Sequence, residues 1–355
     1  MQIKIQIVNF LLGGKKVKGK RIIYIDVIRV LAMFLVVLAH ACASRLQNRN
    51  GSLTWDIANS LVVITEVAVP LFFMISGATI LNSRKTTSIE YLFKHRLPRV
   101  LVPFIIWSII TAYVARQIDG TYTFHSFMQS VLSMYHQPVI IAYWFIYPLI
   151  SMYLLSPLLK AMVNNLSSNG LNYLLILWFV FMMVMPPIIQ ALPSNIRSYF
   201  EAYDMSKIVF SSYLGYFLLG YKLSQEKHRK INWTIGTLLV LILFAINIEI
   251  GLIDNRNIWQ ILNIFSIGSV PFIAGLLFVV LRSFENKYHH WFSKLIEILA
   301  PLTYGVYLIH GLVIDIVEDW FGINAYFTNF LLASLISLVV IFILSKLPII
   351  KKILL

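Results

Sequence analysis

The sequence is poor in charged residues and in cysteine. Of its 355 residues, 12% are charged and 59% are hydrophobic, whereas roughly a quarter of the residues in a soluble globular domain are charged. The one cysteine, Cys42, excludes an intramolecular disulfide and a multi-cysteine metal site. Mean hydropathy is +0.79. These values exclude an ordinary soluble domain and indicate a membrane protein.

Apolar segments long enough to cross about 30 Å of hydrocarbon as helices occur ten times along the chain. They lie at about residues 22–42, 57–81, 97–116, 138–160, 171–192, 207–223, 232–252, 262–283, 296–317 and 325–349. The alternating pattern of an outer-membrane barrel is absent, so the spans are predicted to be helices. The sequence therefore predicts an all-α polytopic membrane protein with about ten transmembrane helices.

No separate soluble domain is predicted, because the longest loops, about 43–56 and 117–137, are too short to fold alone. We expect a single integral-membrane domain over residues 1–355. Its parts are a basic N-terminus over 1–21, the ten-helix bundle over 22–349 and a tail over 350–355.

The 29 Lys and Arg residues, which contribute to a net charge of +14, are distributed unevenly. Most precede the first span, occupy every second loop or follow the last span, as expected of cytoplasmic segments. Both termini are therefore predicted to be cytoplasmic, and no nucleic-acid partner is expected. The first apolar run ends in a cleavage-like Ala-Cys-Ala, but Asp26 and Arg29 within the run favour an uncleaved helix over a signal peptide.

The first span carries Asp26, Arg29 and His40, although ionisable residues are costly inside a membrane and therefore suggest a function. The eleven residues from Arg29 to His40 advance a helix by about 16 Å and return to nearly the same face. The two residues are thus predicted near opposite ends of the span. The alternative to a functional role is structural: Asp26 and Arg29, which are three residues apart, would neutralise each other's charge.

The predicted topology places His40, Glu66 and His310 in the outer half of the membrane, with Glu66 within reach of His40. These residues are candidates for proton transfer, and a buried neutral carboxyl and a hydrogen-bonded core histidine are the structural alternatives. Tyr307, one turn before His310, and Trp144, in an aromatic stripe, are candidate acceptor-site residues. Packing or an interfacial aromatic belt is the alternative for both.

Arg96 and Arg99 lie one turn apart at the predicted cytoplasmic start of the third span. Two guanidinium groups at a membrane surface suit a phosphate-bearing ligand on the inside. Retention of positive charge in the cytoplasm and contact with lipid phosphates are the alternative explanation.

Five segments carry a family resemblance: YIDVIRVLAMFLVVLAH, VPLFFMISG, RLPR, YWFIYPLISMYLLSPLL and TYGVYLIH. Their order, together with the Arg-x10-His and Arg-x-x-Arg elements, resembles membrane acyltransferase family 3. The stand-alone members, which have no attached soluble esterase-like domain, are the most similar. Among them, TWDIAN followed by VPLFFMISG resembles the members that O-acetylate enterobacterial common antigen.

The resemblance implies transfer of an acyl group, usually acetyl from cytoplasmic acetyl-CoA or another acyl-CoA, to a hydroxyl group of an extracytoplasmic or lipid-linked glycan. It implies a multi-pass protein of the bacterial cytoplasmic (inner) membrane, in contact with membrane lipids and with no permanently bound cofactor. His40 would be the catalytic histidine, Arg29 its partner in the motif, and Arg96 and Arg99 residues of the donor side. His40 could act as a general base or carry the acyl group as an acyl-imidazole. Glu66, assigned by depth alone, would orient His40 or raise its basicity.

A transporter or flippase for an acylated sugar or glycolipid is the second hypothesis, because intramembrane charge and kinked helices are also expected there. No inverted repeat is visible, and a transporter does not need histidines at one leaflet. A hydrolase is disfavoured because there is no Gly-x-Ser-x-Gly element. No metal site is predicted, since His289 and His290 adjoin a basic loop and other closely spaced ligands are lacking.

Overall fold

The computed structural model describes residues 21–43, 46, 49, 51–201, 212–225, 232–253, 256–322 and 325–354. These residues form helices and no strands, which confirms the predicted all-α class. Nine helical stretches within them are long and apolar enough to cross a membrane. They are Ile23–Ala43, Leu53–Ile80, Ile89–Ile118, Ile141–Asn165, Ser168–Ala191, Trp233–Leu252, Ile261–Ser283, His290–Phe321 and Tyr326–Lys346. The protein is therefore a multi-pass membrane protein.

The one predicted span that is not among these nine, 207–223, coincides in part with a described helix at Ser212–Gln225. Residues 207–211 lie outside the described residues, as do the basic residues before Arg21 and those at 227–230. The cytoplasmic location of both termini stays a prediction from the charge distribution.

The longer helices, in chain order, are α1 (Ile23–Ala43), α2 (Leu53–Thr65), α3 (Ala68–Ile80), α4 (Leu97–Ile118), α5 (Phe124–Ser133), α6 (Ile146–Asn165), α7 (Ser168–Trp178), α8 (Ser194–Glu201), α9 (Ser212–Gln225), α10 (Trp233–Leu252), α11 (Arg256–Ser283), α12 (His290–Leu299), α13 (Thr303–Phe321) and α14 (Tyr326–Lys346). Short helices occur at Ile89–Tyr91, Met185–Ala191 and Pro348–Leu354, tight 3₁₀ turns at Arg84–Thr87, Ile141–Phe145 and Ala300–Leu302, and wide π turns at Leu92–Arg96 and Phe179–Val184.

Several helices begin before the apolar segment that predicted them, because a serine caps the first turn. Ser52 accepts a hydrogen bond from the backbone N–H of Trp55, and Ser167 accepts one from Gly170. Such caps satisfy N–H groups that have no partner within the helix. At the other end of the chain, the predicted last span continues past the end of α14, and Pro348 begins a new short helix.

The two wide turns precede prolines. The turn Leu92–Arg96 leads into Pro98 near the start of α4, and Phe179–Val184 leads into Pro186 and Pro187. Because proline donates no N–H and its ring crowds the preceding turn, the regular helical ladder cannot continue through it. One consequence is that Arg96 lies at the end of a widened turn at the start of a membrane helix.

Helix α1 is central in the bundle, where it packs against α2, α3, α12, α13 and α14. Its side chains Ile28, Ala32 and Val37 are inaccessible to solvent. At its start, the Glu285 carboxylate accepts hydrogen bonds from the backbone N–H groups of Ile23 (3.1 Å) and Tyr24 (2.7 Å). A carboxylate at this position satisfies unpaired donors and complements the helix dipole.

Helices α3 and α9 approach so closely that their backbones touch at glycines. A Cβ atom at Gly77 would lie 1.7 Å from the carbonyl oxygen of Phe217, and one at Gly220 would lie 2.0 Å from that of Met74. Small residues permit this contact between membrane helices. The approach explains why the segment VPLFFMISG ends in a glycine.

We expect Gly77→Ala to destabilise the protein by about 1–3 kcal/mol or more, because the added methyl group must separate the two backbones. Gly268→Ala is the matched control, since a Cβ there has no neighbour within 4 Å. Thermal unfolding in detergent, followed by tryptophan fluorescence, should show a lower midpoint for Gly77→Ala only. Equal midpoints for the two variants would contradict the close approach.

Candidate active site

Two histidines from distant parts of the chain lie side by side inside the bundle. The ring centroids of His40 on α1 and His310 on α13 are 5.2 Å apart, with their planes at 52°. His310 is completely buried and His40 is partly buried. The structure thus brings together two residues that the sequence placed at a similar depth on separate helices.

The hydrogen bonding of His310 sets the tautomer of its neutral ring. Its Nδ1 lies 2.6 Å from the carbonyl oxygen of Tyr307, and because a carbonyl can only accept, this nitrogen carries the hydrogen. The other nitrogen, Nε2, therefore has a lone pair, and it is buried without a hydrogen-bond partner among the described residues. Buried polar atoms are normally satisfied, so this nitrogen is placed to accept a hydrogen bond or proton from a ligand.

Two tyrosine hydroxyls fix α13 relative to the segment before α6. Tyr307 donates to the carbonyl oxygen of Ala142, and Tyr143 donates to that of Leu308 at 2.6 Å. Both phenols are buried. Tyr307 also contacts the His310 ring, with centroids 5.5 Å apart. Its hydroxyl is thus used in a backbone contact that holds His310 in position.

A second polar group forms around Tyr153 on α6. This phenol lies within electrostatic range of three guanidinium groups, those of Arg29, Arg96 and Arg99. The three arginines come from α1, from the wide turn before α4 and from α4 itself. The sequence predicted each arginine separately, and the structure places all three within electrostatic range of one side chain that the sequence did not single out.

Arg29 is held by Asp26, as the structural alternative predicted. Its Nη1 lies 2.9 Å from Asp26 Oδ1, and Arg21 contacts the other carboxylate oxygen. Asp26 is buried. Two guanidinium groups share one carboxylate. The three side chains together therefore carry a net positive charge within electrostatic range of Tyr153.

Arg96 is held from two sides. Its Nη1 donates to Thr86 Oγ1 at 2.7 Å, and its guanidinium carbon lies 5.6 Å from the centroid of the Tyr91 ring. Arg96 is partly buried, whereas Arg99 is exposed. One arginine of the pair is therefore fixed within the protein and the other extends from it.

A partly buried tyrosine, Tyr304, links the phenol of the arginine group to the tyrosines beside the histidines. Tyr304 is within electrostatic range of Tyr153 on one side and of Tyr143 and Tyr307 on the other. Its hydroxyl donates to the carbonyl oxygen of Val100 at 2.7 Å. The side chains from Tyr153 through Tyr304 to Tyr307 thus form a column of phenols that ends at the histidine pair.

Glu66 and Trp144 lie to one side of this column. Glu66 occupies the break between α2 and α3 and is exposed, within electrostatic range of Tyr216 on α9. No hydrogen bond or ion pair joins it to His40 in the part of the chain that is described. Trp144 packs against Tyr213 with ring centroids 5.7 Å apart, which agrees with a packing role.

Some residues around the site have no clear signal in the sequence. Glu285, which caps α1, lies in a loop far along the chain, and no local pattern predicts its contact. Tyr153 belongs to the aromatic stripe around Trp144, but nothing in the stripe distinguishes it. Within the described ranges, no cluster of three or more His, Cys, Asp or Glu side chains is arranged to hold a metal ion.

Comparison with known proteins identifies the family of the chain. The family model described as an acyltransferase domain, acyltransferase family 3, matches residues 22–346, which include all the helices that carry the two polar groups. No match was found among curated proteins or among solved structures. Because the matched region covers most of the 355 residues, the chain belongs to acyltransferase family 3 and is a membrane acyltransferase.

Proposed function

We propose that the protein transfers an acetyl group from cytoplasmic acetyl-CoA to a hydroxyl group of an extracytoplasmic or lipid-linked glycan. The observation that carries the proposal is the separation of two polar groups along α1. Arg29 belongs to the cationic group around Tyr153, and His40, eleven residues later, belongs to the histidine pair. Along a helix that separation is about 16 Å, or roughly half of the hydrocarbon thickness.

The cationic group has the chemistry of a donor site. CoA carries phosphates, and guanidinium groups bind phosphate oxygens through paired hydrogen bonds. Arg96, fixed by Thr86, would hold one phosphate, and the exposed Arg99 would reach another. Arg29, fixed by Asp26, would add positive charge deeper in the bundle.

The histidine pair has the chemistry of an acyl-transfer site. Acting as a base, His40 would remove the proton of the glycan hydroxyl as its oxygen forms a bond to the thioester carbonyl carbon. The carbon–sulfur bond then breaks, and CoA leaves as the thiol after taking up that proton. His310, which can accept only through Nε2, would orient His40 or the hydroxyl group.

The acyl-imidazole route uses the same residues in two steps. A His40 nitrogen would attack the thioester, form a carbon–nitrogen bond and release CoA. The glycan hydroxyl would then attack the acyl-imidazole and restore the histidine. In both routes the ester oxygen comes from the glycan.

For the acceptor we propose a surface glycan of the enterobacterial common antigen type, reached from the bacterial inner membrane. The support is the similarity of TWDIAN followed by VPLFFMISG to the members that act on this glycan. The partly buried Trp144 ring is a candidate surface for a sugar, since it adjoins Phe145, whose ring contacts Tyr307 at 5.5 Å.

His40→Ala should lower glycan acetylation by at least about 100-fold, the usual contribution of a general base, while the protein still accumulates in the membrane. His310→Ala should also reduce the rate, because the buried Nε2 acceptor is lost. His289→Ala is the control, since this histidine is exposed in a loop. Transfer of radioactive acetyl to glycan would be measured in membranes with equal protein, and full activity of His40→Ala would remove His40 from the mechanism.

Arg96→Ala and Arg99→Ala should each weaken acetyl-CoA binding by about 10- to 100-fold, as expected for a lost charged hydrogen bond. Lysine at either position should restore binding only in part, because it lacks the planar guanidinium group that forms paired hydrogen bonds. Arg116→Ala is the control, because Arg116 lies at the opposite end of α4, where it donates a hydrogen bond to Ser130. Calorimetry on the purified protein measures the affinities for acetyl-CoA. Unchanged binding in both alanine variants would show that Arg96 and Arg99 serve only to set the membrane topology.

The sidedness of the reaction can be tested in sealed vesicles that contain the protein in one orientation. Acetyl-CoA supplied only at the cytoplasmic face should acetylate glycan that is present only at the opposite face, because the two polar groups lie on different levels of α1. Vesicles without protein control for leakage. Product that forms only when donor and glycan share a compartment would exclude transfer across the membrane, even for an active acyltransferase.

A further inference from the structure

An apolar groove lies on the outside of the bundle, away from the histidines and the arginine group. It has a volume of about 540 Å³ and runs between α7, α9 and α11. Its walls are apolar side chains at helical spacing, among them Leu175 and Phe179, Leu219 and Leu223, and Leu276 and Val279. The volume is in the range of about 300–1,000 Å³ that ligand pockets occupy.

The two ends of the groove differ in character. At one end, the rings of Phe179 and Phe272 close it edge to face, with centroids 5.2 Å apart. At the other end, Lys222 donates to the side chain of Asn172. Arg282 donates to the carbonyl oxygen of Leu223, next to Lys222, and brings a second positive charge to that end.

The groove extends along about two-thirds of the thickness of one membrane leaflet. From Asn172 to Phe179 it follows seven residues of helix, a rise of about 10 Å. Half of the hydrocarbon thickness is roughly 15 Å. The charge distribution places Lys222 and Arg282 at the cytoplasmic surface, so the apolar part of the groove extends from that surface toward the middle of the bilayer.

We propose that this groove binds one acyl chain of an anionic phospholipid from the cytoplasmic leaflet, with Lys222 and Arg282 at its phosphate. Basic residues between membrane helices at the cytoplasmic side attract anionic headgroups. The apolar walls accept the chain, and the aromatic end stops it near the middle of the bilayer. A zwitterionic lipid offers the same chain with no net charge, so its binding should be weaker.

Gly275 provides a way to fill the groove without removing a charge. A Cβ at Gly275 would meet only Leu223 at 3.8 Å and Leu219 at 4.0 Å, so a larger side chain projects into the open groove. Gly268, two turns earlier on the same face of α11, has no neighbour within 4 Å of its Cβ and does not line the groove. Gly268→Leu is therefore the matched control for Gly275→Leu.

Native mass spectrometry of the full-length protein in detergent, titrated with phosphatidylglycerol or phosphatidylcholine, tests the proposal. We expect tighter binding of phosphatidylglycerol. Lys222→Gln should weaken that binding about fivefold, the effect of one interfacial charge, with little change for phosphatidylcholine. Lys346→Gln, at the end of α14, is the charge control. Gly275→Leu should lower the occupancy of both lipids, and Gly268→Leu should not.

Unchanged phosphatidylglycerol binding in both Lys222→Gln and Gly275→Leu would overturn the proposal. The same spectra report the oligomeric state, and a dimer that Gly275→Leu dissociates would assign the groove to a second copy of the chain. Glycerol phosphate carries the phosphate of the lipid without its acyl chains. If glycerol phosphate displaced phosphatidylglycerol, the site would be a phosphate site only, and this result would also contradict the proposal. Thermal midpoints equal to that of the wild type establish that each variant is folded.

Discussion

The burial of charge in a membrane bundle determines much of this structure. Asp26 is buried on the central helix α1, and a carboxylate there is stable only with partners, since transfer of an unpaired charge out of water is very costly. Arg21 and Arg29 provide those partners. Because the carboxylate restrains Arg29, its guanidinium stays within electrostatic range of Tyr153, and Arg96 from the wide turn and Arg99 from α4 complete the cationic group.

The histidine pair depends on a different interaction, in which tyrosine hydroxyls bind backbone carbonyls of neighbouring segments. Tyr143, Tyr304 and Tyr307 all donate in this way. Each bond satisfies a polar atom inside the bundle and also joins two of its elements. α13 is thus fixed against α4 and the segment before α6, and His310 is held with its Nε2 free of protein partners among the described residues.

Breaks in the helices occur beside the proposed site. The widened turn before Pro98 carries Arg96, and the break between α2 and α3 carries Glu66. An interrupted helix in a membrane must have its freed backbone groups satisfied within the protein or in a polar cavity. The tight contact of Gly77 with α9 follows the second break and holds α3 in place.

The amino-acid sequence was sufficient to predict the helical class, nearly all of the spans and the family, because apolar length, charge distribution and short motifs are local properties of the chain. It also determined that Arg29 and His40 share one face of α1, since helical periodicity fixes this without any partner. The folded structure was needed to show that His40 meets His310, that three arginines lie within electrostatic range of Tyr153 and that Glu285 caps α1. It also showed that Glu66, expected near His40 from its depth, forms no bond with it. Depth in the membrane gives only the position of a side chain along the membrane normal. A contact between two side chains also depends on how each helix is rotated about its axis and on which helices are its neighbours. Both are set by packing between segments that are far apart in sequence.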